Sequence, residues 1–170
     1  MCFSLTLEKT KEMKNTNLIG LKETDCQKIA EKLNELLANY SIFYQNTRGA
    51  HWNIKGHDFF TLHIKFEELY NSLVIKIDEV AERILTLGAT PNHNFSDYEK
   101  LSTIKESKEV NDGNKCVLQI LDSFKTVISI QRELLDLTDK AGDEGTNAQM
   151  SNYLTEQEKL VWMYNAYLSK

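Results

Sequence analysis

The residues of this chain whose types and spacing could do chemistry are His51, His63, Glu67, Asp78 and Glu82. Imidazole nitrogens and carboxylate oxygens are ligands for a transition metal. A mixed set with room for water suits iron(II) better than structural zinc, which recruits thiolates or a closed tetrahedron. On a single helix, His63, Glu67, Asp78 and Glu82 fall at roughly 0°, 40°, 60° and 100°, which is one stripe. The helical rise nevertheless separates Asp78 from His63 by about 22 Å, against metal–ligand bonds of about 2.0–2.2 Å. One chain cannot close such a site. An antiparallel second copy, related by a two-fold axis through the middle of that helix, sets its Asp78 and Glu82 opposite the first chain's His51, His63 and Glu67. Two equivalent sites per dimer follow.

Taken singly, each of these residues has an ordinary explanation. Asp78 and Glu82 at i, i+4 are a common solvated helix face, His51 could be a satisfied histidine at a helix end, and His63 could simply be exposed. His57 and His93 have no organised partners and read as surface residues. An intra-bundle ligand motif of the E-x-x-H kind is absent, because the residues three before the four histidines are Arg48, Ile54, Phe60 and Thr90.

The elements that must position the stripe are helices. One proline and seven glycines in 170 residues leave little turn chemistry for an all-β fold. Apolar residues instead recur at helical spacing over long segments. A first helix over about 24–54 carries Ile29, Leu33, Leu36, Leu37, Tyr40, Phe43, Tyr44 and Thr47, with Thr24 and Gln27 as a capping box. Gly56 stops it and Asp58 caps a second helix through Leu62, Phe66, Leu69, Leu73, Ile77, Val80, Ala81 and Ile84, ending near Gly88. The region 89–111 is a long crossover, with Ser96 and Glu99 able to cap a short helix. A third long helix runs over about 112–141 to Gly142, and Thr146 with Gln149 caps a fourth. The fold class expected is therefore all-α, two antiparallel hairpins joined by one long connection, as in ferritin-like four-helix bundles. The aromatic stripe of Tyr40, Phe43, Tyr44 and Phe66 reads as packing.

Size and composition agree with one domain, expected over 21–170 behind a flexible tail over 1–20, with Met13 as an alternative start. The net charge of −5 gives no general attraction to phosphate backbones. Residues 1–20 hold Lys9, Lys11 and Lys14 against Glu8 and Glu12, a net +1, so DNA binding is expected to be weak or absent. Three scattered cysteines, Cys2, Cys26 and Cys116, fit a reducing cytoplasm. No segment approaches the roughly 18 apolar residues of a membrane span.

The runs His51-Trp52-Asn53-Ile54-Lys55-Gly56, then Phe60, Leu62-His63, Phe66, Glu68 and Tyr70, and Asp78-Glu79-Val80-Ala81-Glu82-Arg83-Ile84 with Leu87-Gly88, form a spaced constellation. Phe95-Ser96-Asp97-Tyr98, Gly142-Asp143-Glu144-Gly145-Thr146, Glu158-Lys159 and Trp162-Met163 extend it over about residues 20–168. The whole resembles the Dps family of DNA-protection mini-ferritins. The resemblance implies a hollow homo-oligomer of twelve subunits that oxidises ferrous iron at two-fold interfaces, with hydrogen peroxide or dioxygen as oxidant. Ferric mineral is stored inside, which protects against oxidative damage. It implies His51 and His63 as ligands from one subunit and Asp78 and Glu82 from the other, with Glu67 where the family often has an aspartate. It further implies Trp52 beside the centre as an interceptor of oxidising intermediates, Glu68 as a mineral-nucleating group in the cavity, and Asp139, Asp143 and Glu144 near an acidic iron-entry pore. Some relatives compact DNA through lysine-rich tails, which is the alternative role.

Overall fold

The computed structural model describes residues 16–169. Five helices make up these residues: α1 (Glu23–Asn53), α2 (Phe59–Thr86), α3 (Phe95–Leu101), α4 (Gly113–Ala141) and α5 (Glu144–Leu168). The four long ones form two antiparallel hairpins, α1 with α2 and α4 with α5, and α1 also packs on α4. The short α3 lies in the crossover against α1. This is the all-α ferritin-like bundle that the hydrophobic period predicts.

Each long helix turns its apolar stripe inward. Leu33, Leu36, Leu37, Tyr40 and Phe43 of α1 meet Phe66, Leu73 and Ile84 of α2, Phe124 and Leu134 of α4, and Met150 of α5 in one core. Phe43 and Phe124 cross edge to face with ring centres 5.1 Å apart. One polar knot interrupts this core. The Tyr40 hydroxyl lies 2.7 Å from the Gln131 amide and 2.6 Å from that of Gln157, and Gln131 donates to Gln157 at 2.9 Å. The knot ties α1, α4 and α5 at one height, and burial pushes the Tyr40 phenol far above its usual range.

Three asparagines of α1 hold the crossover, the first of them Asn34, which accepts from the Asn92 amide at 2.7 Å. Asn39 Oδ1 accepts from the Ser102 and Thr103 hydroxyls and from the Thr103 and Ile104 amides, each at 3.1 Å. Asn46 donates to the Lys105 carbonyl at 2.8 Å and accepts from the Ser107 amide at 2.9 Å. The long connection is thereby sewn onto α1 without a strand or a longer helix.

Asp58 caps α2 and Asp112 caps α4, as the sequence reading has them, whereas the other three helix starts differ. Lys22 caps α1 with no side-chain bond, so Thr24 and Gln27 form no capping box and lie inside the helix. Asn94, again without a side-chain bond, caps α3 instead of Ser96. Asp143 caps α5, accepting from the Thr146 amide at 3.0 Å, which makes Thr146 a first-turn residue. Gly142 caps the end of α4 with a φ of 70°, while α1 ends at Ile54 and Gly56, with a φ of 104°, lies in the turn two residues beyond; both values admit glycine at least cost. Of the tail expected over 1–20, residues 1–15, with Met13, lie outside the described residues. Asn17 organises the next turn, accepting from the Leu21 amide at 3.0 Å and donating to Cys26 Sγ at 3.1 Å.

Candidate metal centre

The α1–α2 hairpin brings the last turn of one helix beside the first turn of the next, and this sets His51 against His63. Their rings stack with centres 3.8 Å apart and planes 19° from parallel. Each ring also bonds the other residue's backbone: His51 Nδ1 lies 2.7 Å from the His63 carbonyl, and His63 Nδ1 lies 2.9 Å from the His51 carbonyl. A carbonyl can only accept, so both Nδ1 atoms carry the proton and donate it. That fixes the tautomer and leaves each Nε2 with its lone pair for a ligand, the arrangement metal-binding histidines generally adopt. Phe59 stacks on the far side of His63, and Tyr70 meets His51 edge-on at 5.3 Å. His51 is only 8% exposed, so its donor is held rigidly.

The carboxylates are arranged quite differently. Glu67, Asp78 and Glu82 are all exposed along α2. Among the described residues none of the three has a cation within salt-bridge distance, while Glu35, Glu68, Glu133, Glu156 and Glu158 do. Only the Tyr70 hydroxyl approaches Glu67, at 3.4 Å. Carboxylate oxygens without a cation partner and rigid imidazole nitrogens are donors of the kinds a divalent transition-metal ion accepts. Within one protomer they do not converge: among the described residues no three His, Cys, Asp or Glu side chains form a metal-binding group. This agrees with their axial separation on α2.

The remaining candidates are placed as follows. Trp52 is 57% exposed next to His51, with the Arg48 guanidinium carbon 4.6 Å from its ring centre. Glu68 is exposed and paired with Lys65 at 2.7 Å. Asp139 and Glu144 are exposed near the α4–α5 turn. Asp143 is not on that surface. It is 2% exposed, its carboxylate 2.6 Å from Arg83 Nη2 and 2.5 Å from the Thr146 hydroxyl, so it anchors the turn to α2 instead of facing a pore. His57 and His93 are exposed, as expected.

Two neighbours of the centre carry no role in the sequence reading. Tyr70 touches both His51 and Glu67, and its position three residues after Glu67 puts it on the same face. Arg48 precedes Trp52 by four residues, the spacing that stacks side chains along a helix. In both cases the signal is a helical neighbour of a candidate residue.

Comparisons with known proteins agree with this architecture. A family model described as a ferritin-like domain matches residues 30–170. The crystal structure of a Dps protein from Vibrio cholerae O1, described as a member of a broad superfamily of ferritin-like diiron-carboxylate proteins, superposes with a TM-score of 0.90. It is 56% identical and the match covers 91% of this chain and 98% of that one. A DNA protection during starvation protein of Porphyromonas gingivalis is 41% identical over 89% of this chain and 95% of its own. The general stress protein 20U of Bacillus subtilis is 34% identical over 84% of this chain and 98% of its own length. With bundle, crossover and relatives in agreement, the chain belongs to the Dps family of ferritin-like proteins.

Proposed function

We propose that this protein oxidises Fe(II) at sites shared by two copies and stores the ferric product inside a closed homo-oligomer of twelve subunits in the cytoplasm. Iron is the substrate. Each ferrous ion gives up one electron, and hydrogen peroxide takes two electrons and two protons to become two waters. Dioxygen is the alternative acceptor. His51 and His63 offer their Nε2 atoms, while Asp78 and Glu82 of a second copy supply oxygens that offset the metal's charge. Glu67 completes the nitrogen-bearing half.

The observation that carries this reading is the symmetry of α2. His63 and Glu82 lie equally far on either side of the Ser72–Leu73 step, and so do Glu67 and Asp78. A two-fold axis at that height therefore brings both pairs together at once. The same face of α2 also carries exposed apolar side chains. Phe60, Ile64, Val74 and Ile75 are exposed, and by helical geometry they fall within roughly 0–120° of the ring that holds the ligands. Exposed apolar side chains on the face that carries the ligands support burial against another copy. Glu68 inside the shell and Asp139 with Glu144 at an entry pore are part of the proposal. Contact with DNA is not, given the net charge of −5. Among the described residues no helix is long and apolar enough to cross a membrane.

The test is complementation between two inactive proteins. One variant carries His51→Gln and His63→Gln, the other Asp78→Asn and Glu82→Gln, and each alone is expected to lose rapid iron oxidation while keeping its particle size. Unfolded together in equal amounts and reassembled, half the dimers are mixed, and each mixed dimer has one site with both halves intact. About a quarter of the wild-type rate should return if pairing is random and isologous. A mixture that stays as inactive as its parents sinks the shared site.

A further inference from the structure

Arg48 and Trp52 face the same side of α1, and the Arg48 guanidinium carbon stands 4.6 Å from the centre of the indole. Arg48 is held there from behind, donating to the Tyr44 hydroxyl at 3.1 Å with its guanidinium 5.7 Å from that ring. Among the described residues no carboxylate lies within salt-bridge distance of Arg48. A guanidinium ordinarily seeks a carboxylate fork. Here it rests between two electron-rich rings, over the exposed residue next to a candidate ligand.

We propose that Arg48 is a positioning residue that holds a positive charge over Trp52 and so makes the indole a reluctant electron donor. The inference rests on the ferroxidase reading for its setting. When one ferrous ion meets one hydrogen peroxide, the products are a ferric ion, hydroxide and a hydroxyl radical. The radical becomes water by taking an electron from the indole and a proton from solvent, which leaves an indole radical cation. A cation over the ring favours the neutral indole, whose face is negative, and disfavours its positively charged product. Both effects raise the potential at which Trp52 gives up its electron. Trp52 then yields to the strongest oxidants only, and survives repeated turnovers beside the centre. Trp162, 67% exposed with no cation over its ring among the described residues, lacks this protection.

The experiment compares the assembled wild-type protein with Arg48→Gln, which removes the charge, and Arg48→Lys, which keeps it. Each is exposed to azide radicals from pulse radiolysis without iron, and separately to ferrous iron with peroxide. Oxidised tryptophan is located by peptide mass spectrometry, with Trp162 as the internal reference. In R48Q the ratio of Trp52 to Trp162 oxidation should rise about two- to fivefold, the size of an exposed cation–π contact, and R48K should hold it near the wild-type value. An unchanged ratio in R48Q, an R48K protein that behaves like R48Q, or a smaller particle in R48Q would each overturn the assignment. If the azide ratio rises but no variant oxidises iron, the tuning role stands and the ferroxidase reading fails.

Discussion

Asp143 was expected at a pore and is found at a buried joint, and the two roles predict opposite results for its removal. Its carboxylate serves three donors: Arg83 Nη2 at 2.6 Å, the Thr146 amide at 3.0 Å and the Thr146 hydroxyl at 2.5 Å. Asp143→Ala removes an N-cap, which costs about 1 kcal/mol. It also strands the Arg83 guanidinium. Breaking a fully buried pair costs about 3–5 kcal/mol, but the Arg83 side chain keeps 18% of its exposure and can turn partly to water, so the lower end applies. The sum is about 4 kcal/mol, or roughly 8–16 °C in the unfolding midpoint of a chain this size. Asp143→Asn keeps a capping oxygen and loses only the charge, so it should fall about halfway. Asp139→Asn and Glu144→Gln, both exposed, should shift the midpoint by less than about 1–2 °C. Thermal unfolding followed by far-ultraviolet circular dichroism, beside the initial rate of iron uptake, separates the cases. If D143A melts with the wild type while iron uptake slows, the joint is unimportant and the pore role is restored.

Other outcomes follow from the same coordinates. Tyr40→Phe deprives the Gln131 and Gln157 amides of their shared oxygen and should cost about 1–3 kcal/mol in urea unfolding; an unchanged midpoint would mean the knot is idle. The Tyr40 phenol is held far above its ordinary value of 10.0, so the folded state keeps a proton that the unfolded chain releases above pH 10. Stability that is complete below pH 10 should therefore decline as pH rises, and Y40F should remove about 1.4 kcal/mol per pH unit of that slope. Equal slopes in wild type and Y40F would contradict the burial argument. Ile75→Glu places a charge among the exposed apolar side chains of α2 and should convert the assembled particle to smaller species on size exclusion; an intact particle would remove those side chains from the interface. Gly142→Ala meets no atom within 4 Å but keeps a φ of 70°, so about 1 kcal/mol of backbone strain is expected. A stabilised variant would show that the turn can relax.

The features legible in the sequence were those written in local periodicity. Leu33, Leu36, Leu37, Tyr40 and Phe43 fall in the core because a 3.6-residue repeat puts them on one face, and Gly56 and Gly142 mark the turns after α1 and α4 because few residues accept their φ. The antiparallel pairing of α1 and α2, which carries His51 towards His63, was legible in the short connection from Gly56 to Asp58. The start of α5 was misread for a physical reason. Thr146 and Gln149 have the spacing of a capping box, but Asp143 lies three residues before Thr146 and presents a charged acceptor whose Oδ1 takes both the Thr146 amide and Arg83. That partner is 60 residues away in the chain, beyond any local pattern. The exchange of Nδ1 bonds was equally invisible, since it depends on the height at which one helix passes the other. Arg48 and Tyr70 had the right spacing but no chemistry of their own to draw notice.

The paired imidazoles show what a single subunit brings to assembly. Each ring is locked by the other's main chain in the isolated fold, so both Nε2 donors are already oriented before any ion or second copy arrives. Ion uptake then requires no local folding and little loss of side-chain freedom. A vacant shell should be as well ordered around these rings as a loaded one, ready to be filled, emptied and filled again without rebuilding its walls.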